Sequence, residues 1–352
     1  MKKRLFVLPF ALLILIMAVA FPASADTPSS IRVYLRRLQV EDTLRVTVKG
    51  QYATQDGRLS FSDGAKLVVV LRGDQLVLHT GQTAVVMGSS IKLVRCQSET
   101  PGYLLLNDGT GMYEGDLSLD IVENAIRPIL TINVEDYLLG VVPFEMGDSF
   151  PLEALKAQAV TARTYALRKS GSSGAYDVED TTNDQAYRGR TTSSPLSEQA
   201  VTETKGLCGV YRGALASCFY SASNGGQTEL VENVWSGRGD WSYYQMTDDP
   251  YDLENPESVV RRATLKKSGE DLPEAFLTLL AQQLAEQMTA KGFDPTFRGL
   301  RVDGISAMEL HTPKHDAPSR MWSKLDITFT WSGRTVTYAA TATPEALPLA
   351  DA

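Results

Sequence analysis

Tyr137-Leu138-Leu139-Gly140-Val141-Val142-Pro143-Phe144-Glu145-Met146 is an apolar run that ends on a single carboxylate. Asp148-Ser149-Phe150-Pro151 follows, a capping side chain and then a proline of the kind that opens a helix. Leu152, Leu155, Ala159, Ala162 and Ala166 recur at alternating spacings of three and four, which is one face of a helix. The small residues on that face let it approach another element closely. Gly171-Ser172-Ser173-Gly174 ends the helix in a loop.

Upstream, from Ile31 to about Leu130, the pattern has the period of strands. Ile31-Arg32-Val33-Tyr34-Leu35 and Leu44-Arg45-Val46-Thr47-Val48 alternate apolar and polar residues. Lys66 to Leu71 and Gln75 to Leu78 flank Arg72-Gly73-Asp74, a hairpin signal, and the tripeptide is read as a turn and not as an adhesion motif. Beyond Tyr176 the chain reads as irregular and strand-like, through Tyr220 and the turn Ser223-Asn224-Gly225-Gly226. A second helix is expected over Leu272 to Ala290, with Ala275, Leu279, Leu280 and Leu284 as its apolar face. Strands follow at Lys324 to Trp331 and Thr335 to Ala340. The pattern predicts an α+β fold, a β-rich N-terminal region packed on a mixed core that carries the Glu145 loop and its helix. The expected division is 26–130 for the β-rich region, 131–255 for the core and 256–352 for a C-terminal α+β extension.

Residues 1–25 combine Lys2, Lys3 and Arg4, an apolar stretch from Leu5 to Phe21, and Ala23-Ser24-Ala25, the three parts of a secretory signal peptide. The alternative is an uncleaved anchor, because the stretch nearly reaches the roughly 20 residues that span a bilayer. Either way the expected location is outside the cytoplasm. The formal charge of -8 becomes -11 without those three basic residues, which excludes a nucleic-acid partner that needs a clustered basic face. Cys96, Cys208 and Cys218 cannot all pair; Cys208 and Cys218 are either bridged across a hairpin or buried as thiols. His79, His311 and His315 are the histidines, and none stands near a nucleophile motif. Pro313 between His311 and His315 makes them a loop pair and not a helical metal pair.

Carboxylates are left as candidates for chemistry. A carboxyl group among apolar neighbours has its charged form disfavoured, which suits a general acid for glycosidic cleavage. Glu145 is in such a setting; alternatively it complements the dipole of the helix that follows.

The run from Tyr137 to Met146, with Pro151 to Ala166, closely resembles the signature of the stage II sporulation protein D family. Asp184-Gln185-Ala186-Tyr187-Arg188-Gly189, Ala200 to Gly206, Ser221 to Glu229 and Asp249-Pro250-Tyr251-Asp252 are similar to its later elements, in the same order. The resemblance implies a lytic transglycosylase on peptidoglycan glycan strands, above all strands without stem peptides, or an enhancer of a cell-wall amidase. It places Glu145 at the catalytic position and Arg163 at a position important for activity. It puts Gln185, Tyr187, Ser223, Gly225, Gly226 and Thr228 along the groove. No cofactor is implied. Some sporulation members hold zinc through a Cys/His cluster before the Gln-Tyr element, but Tyr176 to Asn183 here contains neither residue type. Tyr220 stands where the family has a histidine-like position before the Gly-Gly turn.

Overall fold

A computed structural model describes residues 29–97, 101–235, 239–255, 265–292, 301–333 and 336–342. The expected signal segment lies outside them. Among the described residues no helix is long and apolar enough to cross a membrane. The chain divides into two compact units, one ending at Tyr220 and one beginning at Ser221. The boundary expected near residue 255 falls inside the second.

The first unit contains β1 (Ser30–Tyr34), β2 (Thr43–Lys49), β3 (Tyr52–Thr54), β4 (Ser60–Phe61), β5 (Lys66–Arg72), β6 (Gln75–Thr80) and β7 (Thr83–Gly88). It continues with β8 (Ser90–Arg95), β9 (Tyr103–Leu106), β10 (Asp116–Val122), β11 (Ala125–Asn133), β12 (Val178–Glu179), β13 (Val210–Tyr211) and β14 (Ala214–Leu215). Its helices are α1 (Val134–Leu138), α2 (Val142–Glu145), α3 (Leu152–Lys169) and α4 (Pro195–Glu203). One sheet runs β12-β1-β11-β10-β8-β3-β4 and a second runs β7-β6-β5-β2-β9. Their inward residues, such as Leu44 and Val46 from one and Leu93, Leu117 and Leu119 from the other, belong to a single apolar core. That core continues into Tyr137, Leu138, Val141 and Val142 and the predicted face of α3, where Leu155, Ala159, Ala162 and Ala166 are fully buried. The β5–β6 hairpin closes with Arg72 opposite Gln75, and Gly73 takes the left-handed φ of 62° that the two-residue turn requires.

Two local expectations change. Asp148 caps α4 and not α3: its Oδ1 accepts the Ser197 N–H at 2.6 Å and its Oδ2 the Leu196 N–H at 3.2 Å. These are amides of the first turn of a helix, which have no partner within it. Helix α4 itself replaces the irregular segment read there; Pro195 opens it, and its Ala200 and Val201 are buried.

In the second unit are α5 (Val231–Val234), α6 (Pro250–Glu254), α7 (Glu274–Ala290) and a sheet of β15 (Arg301–Pro313), β16 (Trp322–Gly333) and β17 (Val336–Ala342). Leu280 and Leu284 of α7 join Val302, Ile305, Ile327 and Phe329 in its core. Phe276 and Leu277 pack there as well, whereas Ala275 is exposed. His311 lies on a strand and not in a loop, its Nε2 2.9 Å from Asp326 Oδ2; His315 sits in the bend beyond.

The segment after α3 is tied to the edge of the first sheet. Val178 and Glu179 pair in parallel with Val33 and Tyr34. Asp177 receives the Arg32 amide at 2.8 Å and its guanidinium at 2.7 Å, and Arg36 meets Glu179 at 3.0 Å. Asp180, 2% exposed, accepts the Arg37 N–H at 2.9 Å. Burial pushes its carboxyl up from 3.8 to about 6. A raised carboxyl leaves the folded state holding a proton that the unfolded chain has already lost, so stability falls as pH rises from 3.8 through about 6. Asp180→Asn removes that dependence. Denaturant titrations at pH 4 and pH 7 are expected to show the variant gaining roughly 2–3 kcal/mol on wild type between those pH values.

Candidate active site

Glu145 is the last residue of α2, a single helical turn where the sequence suggested a loop. Its side chain is half-buried, so one edge stays open to a ligand. Oε1 accepts the backbone N–H of Ala186 at 2.6 Å. The Tyr220 hydroxyl lies beside the same carboxylate, in reach as a donor to it. Burial first, and the nearby Glu145 charge second, push the Tyr220 phenol well above its ordinary range, so it remains a donor.

Gln185 sets the direction of that hydroxyl. It is fully buried, accepts from Tyr137 Oη at 3.3 Å, and donates Nε2 to Tyr220 Oη at 3.1 Å and to Ala162 O at 3.3 Å. With Gln185 as donor, Tyr220 Oη accepts on that side and directs its own proton toward Glu145. Gln158 lies beside the same hydroxyl from α3, with its Nε2 buried and without a hydrogen bond of good geometry.

Residues 184–190 run across α1 and α2, anchored at nearly every residue. Asp184 takes Tyr165 Oη at 2.6 Å and the Glu179 N–H at 2.8 Å. Tyr187 is fully buried and stacks on Tyr137, ring centroids 5.0 Å apart, with Tyr113 edge-on at 5.9 Å. Gly140 makes room for that ring: a Cβ there would lie 2.5 Å from Tyr187 Cε2. The Arg188 N–H then bonds Gly140 O at 3.3 Å, and Met112 pairs with Arg190.

The residues marked by the sequence therefore divide into groups. Glu145, Gln185 and Tyr220 meet in one hydrogen-bonded chain. Tyr187 is packing, with no face toward solvent. Arg163 is 1% exposed, and its guanidinium grips Glu135 through Nε at 2.9 Å and Nη2 at 2.7 Å. Its other donors reach Leu207 O at 3.1 Å and Val201 O at 3.3 Å, so α1, α3 and the end of α4 meet on one cation, which has no edge left for a sugar. Ser223, Gly225, Gly226 and Thr228 belong to the second unit. There Asp252 Oδ2 accepts the Ser223 hydroxyl at 2.6 Å and the Gly225 and Asn224 amides at 2.8 and 3.1 Å. Gly225 and Gly226 have φ of 70° and 98°, and a Cβ on Gly226 would meet Leu253 at 2.6 Å. The Thr228 hydroxyl donates to Gln245 O at 3.0 Å.

Three participants escaped the sequence reading. The Ala186 amide is backbone and carries no residue signature. Glu135, the partner of Arg163, is an ordinary acidic residue in the first turn of α1. Gln158 was findable: it stands three residues after Leu155 and four before Ala162, a polar side chain on the buried stripe.

Residues 122–211 match the stage II sporulation protein (SpoIID) family. The chain carries a SpoIID domain. Over 159 residues it is 30% identical to stage II sporulation protein D of Bacillus subtilis, covering 40% of this chain and 46% of that one. Over 99 residues it is 48% identical to an amidase enhancer of the same organism, 28% of this chain and 13% of the other. An uncharacterised protein of Brachyspira hyodysenteriae is 40% identical over 126 residues, about a third of each chain. The chain thus spans about half the length, or less, of the curated relatives it matches. The SpoIID match covers Glu145, Arg163, Gln185 and Tyr187 and stops before Tyr220 and the Gly-Gly turn.

The buried Arg163–Glu135 pair gives a stability test of the SpoIID domain. Arg163→Lys keeps the charge but cannot fork across both carboxylate oxygens. Thermal or urea unfolding is expected to show a loss of about 2–4 kcal/mol.

Proposed function

We propose that the SpoIID domain is a lytic transglycosylase that cuts peptidoglycan glycan strands outside the cytoplasmic membrane, with Glu145 as its acid and base. The observation that supports this most directly is the state of Glu145. It is open on one edge, and fixed on the other by the Ala186 amide and the Tyr220 hydroxyl. A general acid has to be reachable and has to hold one orientation.

In the proposed reaction protonated Glu145 gives its proton to the oxygen that links N-acetylmuramic acid to N-acetylglucosamine. The bond from that oxygen to the muramic anomeric carbon breaks, and the leaving sugar keeps the proton as a hydroxyl. The Glu145 carboxylate then takes the proton of the muramic 6-hydroxyl as that oxygen closes on the same carbon. A 1,6-anhydro end results, Glu145 is protonated again, and no water is consumed. Because the nucleophile is part of the substrate, the second carboxylate that an inverting hydrolase uses to activate water is not needed. Tyr220 steadies the carboxylate form through its hydroxyl, Gln185 positions Tyr220, and Arg163 is a positioning residue that holds the helices around them.

A second reading has its own support in the match to an amidase enhancer: a glycan-binding module that stimulates a cell-wall amidase without cutting strands. Digestion of purified strands by wild type and Glu145→Gln separates the two. Mass spectrometry is expected to find 1,6-anhydro ends with wild type only. Unchanged strands with both proteins, together with amidase stimulation by both, would establish the second reading. Tyr220→Phe is expected to slow turnover by about ten- to a hundredfold with little change in KM, the effect of losing one donor to the catalytic carboxylate.

A further inference from the structure

Cys208 stands before the β13–β14 hairpin and Cys218 after it, both as half-buried thiols. The hairpin turns at Arg212 and Gly213, whose φ of 49° and 81° suit a two-residue turn between paired strands. Cys96 lies elsewhere, on a cleft with Arg95, Glu114 and Asp116.

Helix α3 holds both legs of the hairpin. Arg163 Nη1 donates to Leu207 O at 3.1 Å, and the Gly209 N–H to Thr164 Oγ1 at 2.9 Å. Arg168 Nη1 donates to Leu215 O at 3.1 Å, and across the hairpin the Ala216 N–H bonds Gly209 O at 2.9 Å. Cys208 therefore has an anchored residue on each side. Cys218 lies between anchored Ala216 and Tyr220, whose hydroxyl accepts from Gln185.

The two sulfurs converge on one place. A Cβ built on Gly209, the residue next to Cys208, would lie 3.3 Å from Cys218 Sγ and 3.8 Å from Thr164 Oγ1. The Thr164 hydroxyl is in turn within reach of both thiols. Continued past Val210 and Leu215, the register sets Cys208 opposite Ser217, one residue from Cys218. Neither cysteine is in a strand, so the backbone is free of the ladder that would turn the two side chains to opposite faces. Near neighbours across a hairpin meet the Cα separation of roughly 4.4–6.8 Å that a disulfide needs.

We propose that Cys208 and Cys218 form a disulfide that braces the hairpin against α3, beside the approach to Tyr220. The expected location outside the cytoplasm, where disulfides persist, suits it. The oxidant is a small disulfide such as oxidised glutathione. One cysteine thiolate attacks a sulfur of that disulfide, its S–S bond breaks, and one glutathione leaves. The other cysteine thiolate attacks the protein sulfur of the mixed disulfide and displaces the second glutathione. Two protein thiols lose two electrons and two protons, and the two glutathione thiols take them up.

The full chain, incubated with reduced and oxidised glutathione, alkylated and digested with trypsin without reduction, tests this by mass spectrometry. Burial pushes both thiols up, so the incubation is run at about pH 8.5 to supply thiolate. Cleavage after Lys205, Arg212 and Arg238 separates the cysteines, so the bond appears as residues 206–212 linked to 213–238. That pair is expected, with Cys96 recovered alkylated. Cys208 and Cys218 both recovered alkylated, or either one linked to Cys96, overturns the proposal. Reduction is expected to lower the wild-type Tm by about 5–10 °C and to leave that of Cys208→Ser unchanged. A wild-type Tm indifferent to reduction, or an equal loss in Cys208→Ser, overturns the bracing role.

Discussion

A single hydrogen bond, from the Ala186 amide to the Glu145 carboxylate, joins the two parts of the chain on which the site depends. One is α2, a turn of helix set on the core by Val141 and Val142. The other is the extended segment 184–190, which belongs to no strand and is held by side chains and by a few backbone bonds, to Gly140 and Met112. A carboxylate at the end of a four-residue helix has little intrinsic order, because so short a helix is marginal by itself. The order comes from outside, through Tyr187 under Gly140, Asp184 on Tyr165, and the parallel pairing of β12 with β1. The polar chain from Tyr137 through Gln185 to Tyr220 extends the same restraint to the hydroxyl.

Arg163 is spent on the fold and has no donor turned to a ligand. At its guanidinium α1, α3 and the end of α4 meet on one charge. Buried ion pairs contribute less to stability than their geometry suggests, because desolvation offsets most of the attraction, but an unpaired survivor is costly. Substitution on either side therefore disturbs the packing of α1 and α3, the helices before and after the α2 turn that ends in Glu145.

The fold was legible where burial repeats with a period. The strands of the first unit and the stripe of α3 alternate apolar and polar residues as their geometry demands, and both were found. Helix α4 was missed because its nine residues hold few apolar positions and its cap, Asp148, lies 47 residues before Pro195 in the chain. The same Asp148 had an obvious local use, capping α3, and the nearer partner lost. In the site, Glu145 was visible as a lone carboxylate in an apolar run, and the resemblance added Gln185 and Arg163. Their different surroundings, a hydroxyl for one and a carboxylate for the other, come from contacts 28 to 48 residues apart in sequence. No window of sequence contains both members.

The Asp252 carboxylate accepts from Ser223, Asn224 and Gly225 at once, so two short motifs separated by more than twenty residues form one structural unit. Evolution cannot readily revise either half alone. A serine lost from the turn leaves the acid short of a donor, and an acid lost from α6 leaves two amides and a hydroxyl without their shared acceptor. Across relatives, the two stretches should be inherited or abandoned together.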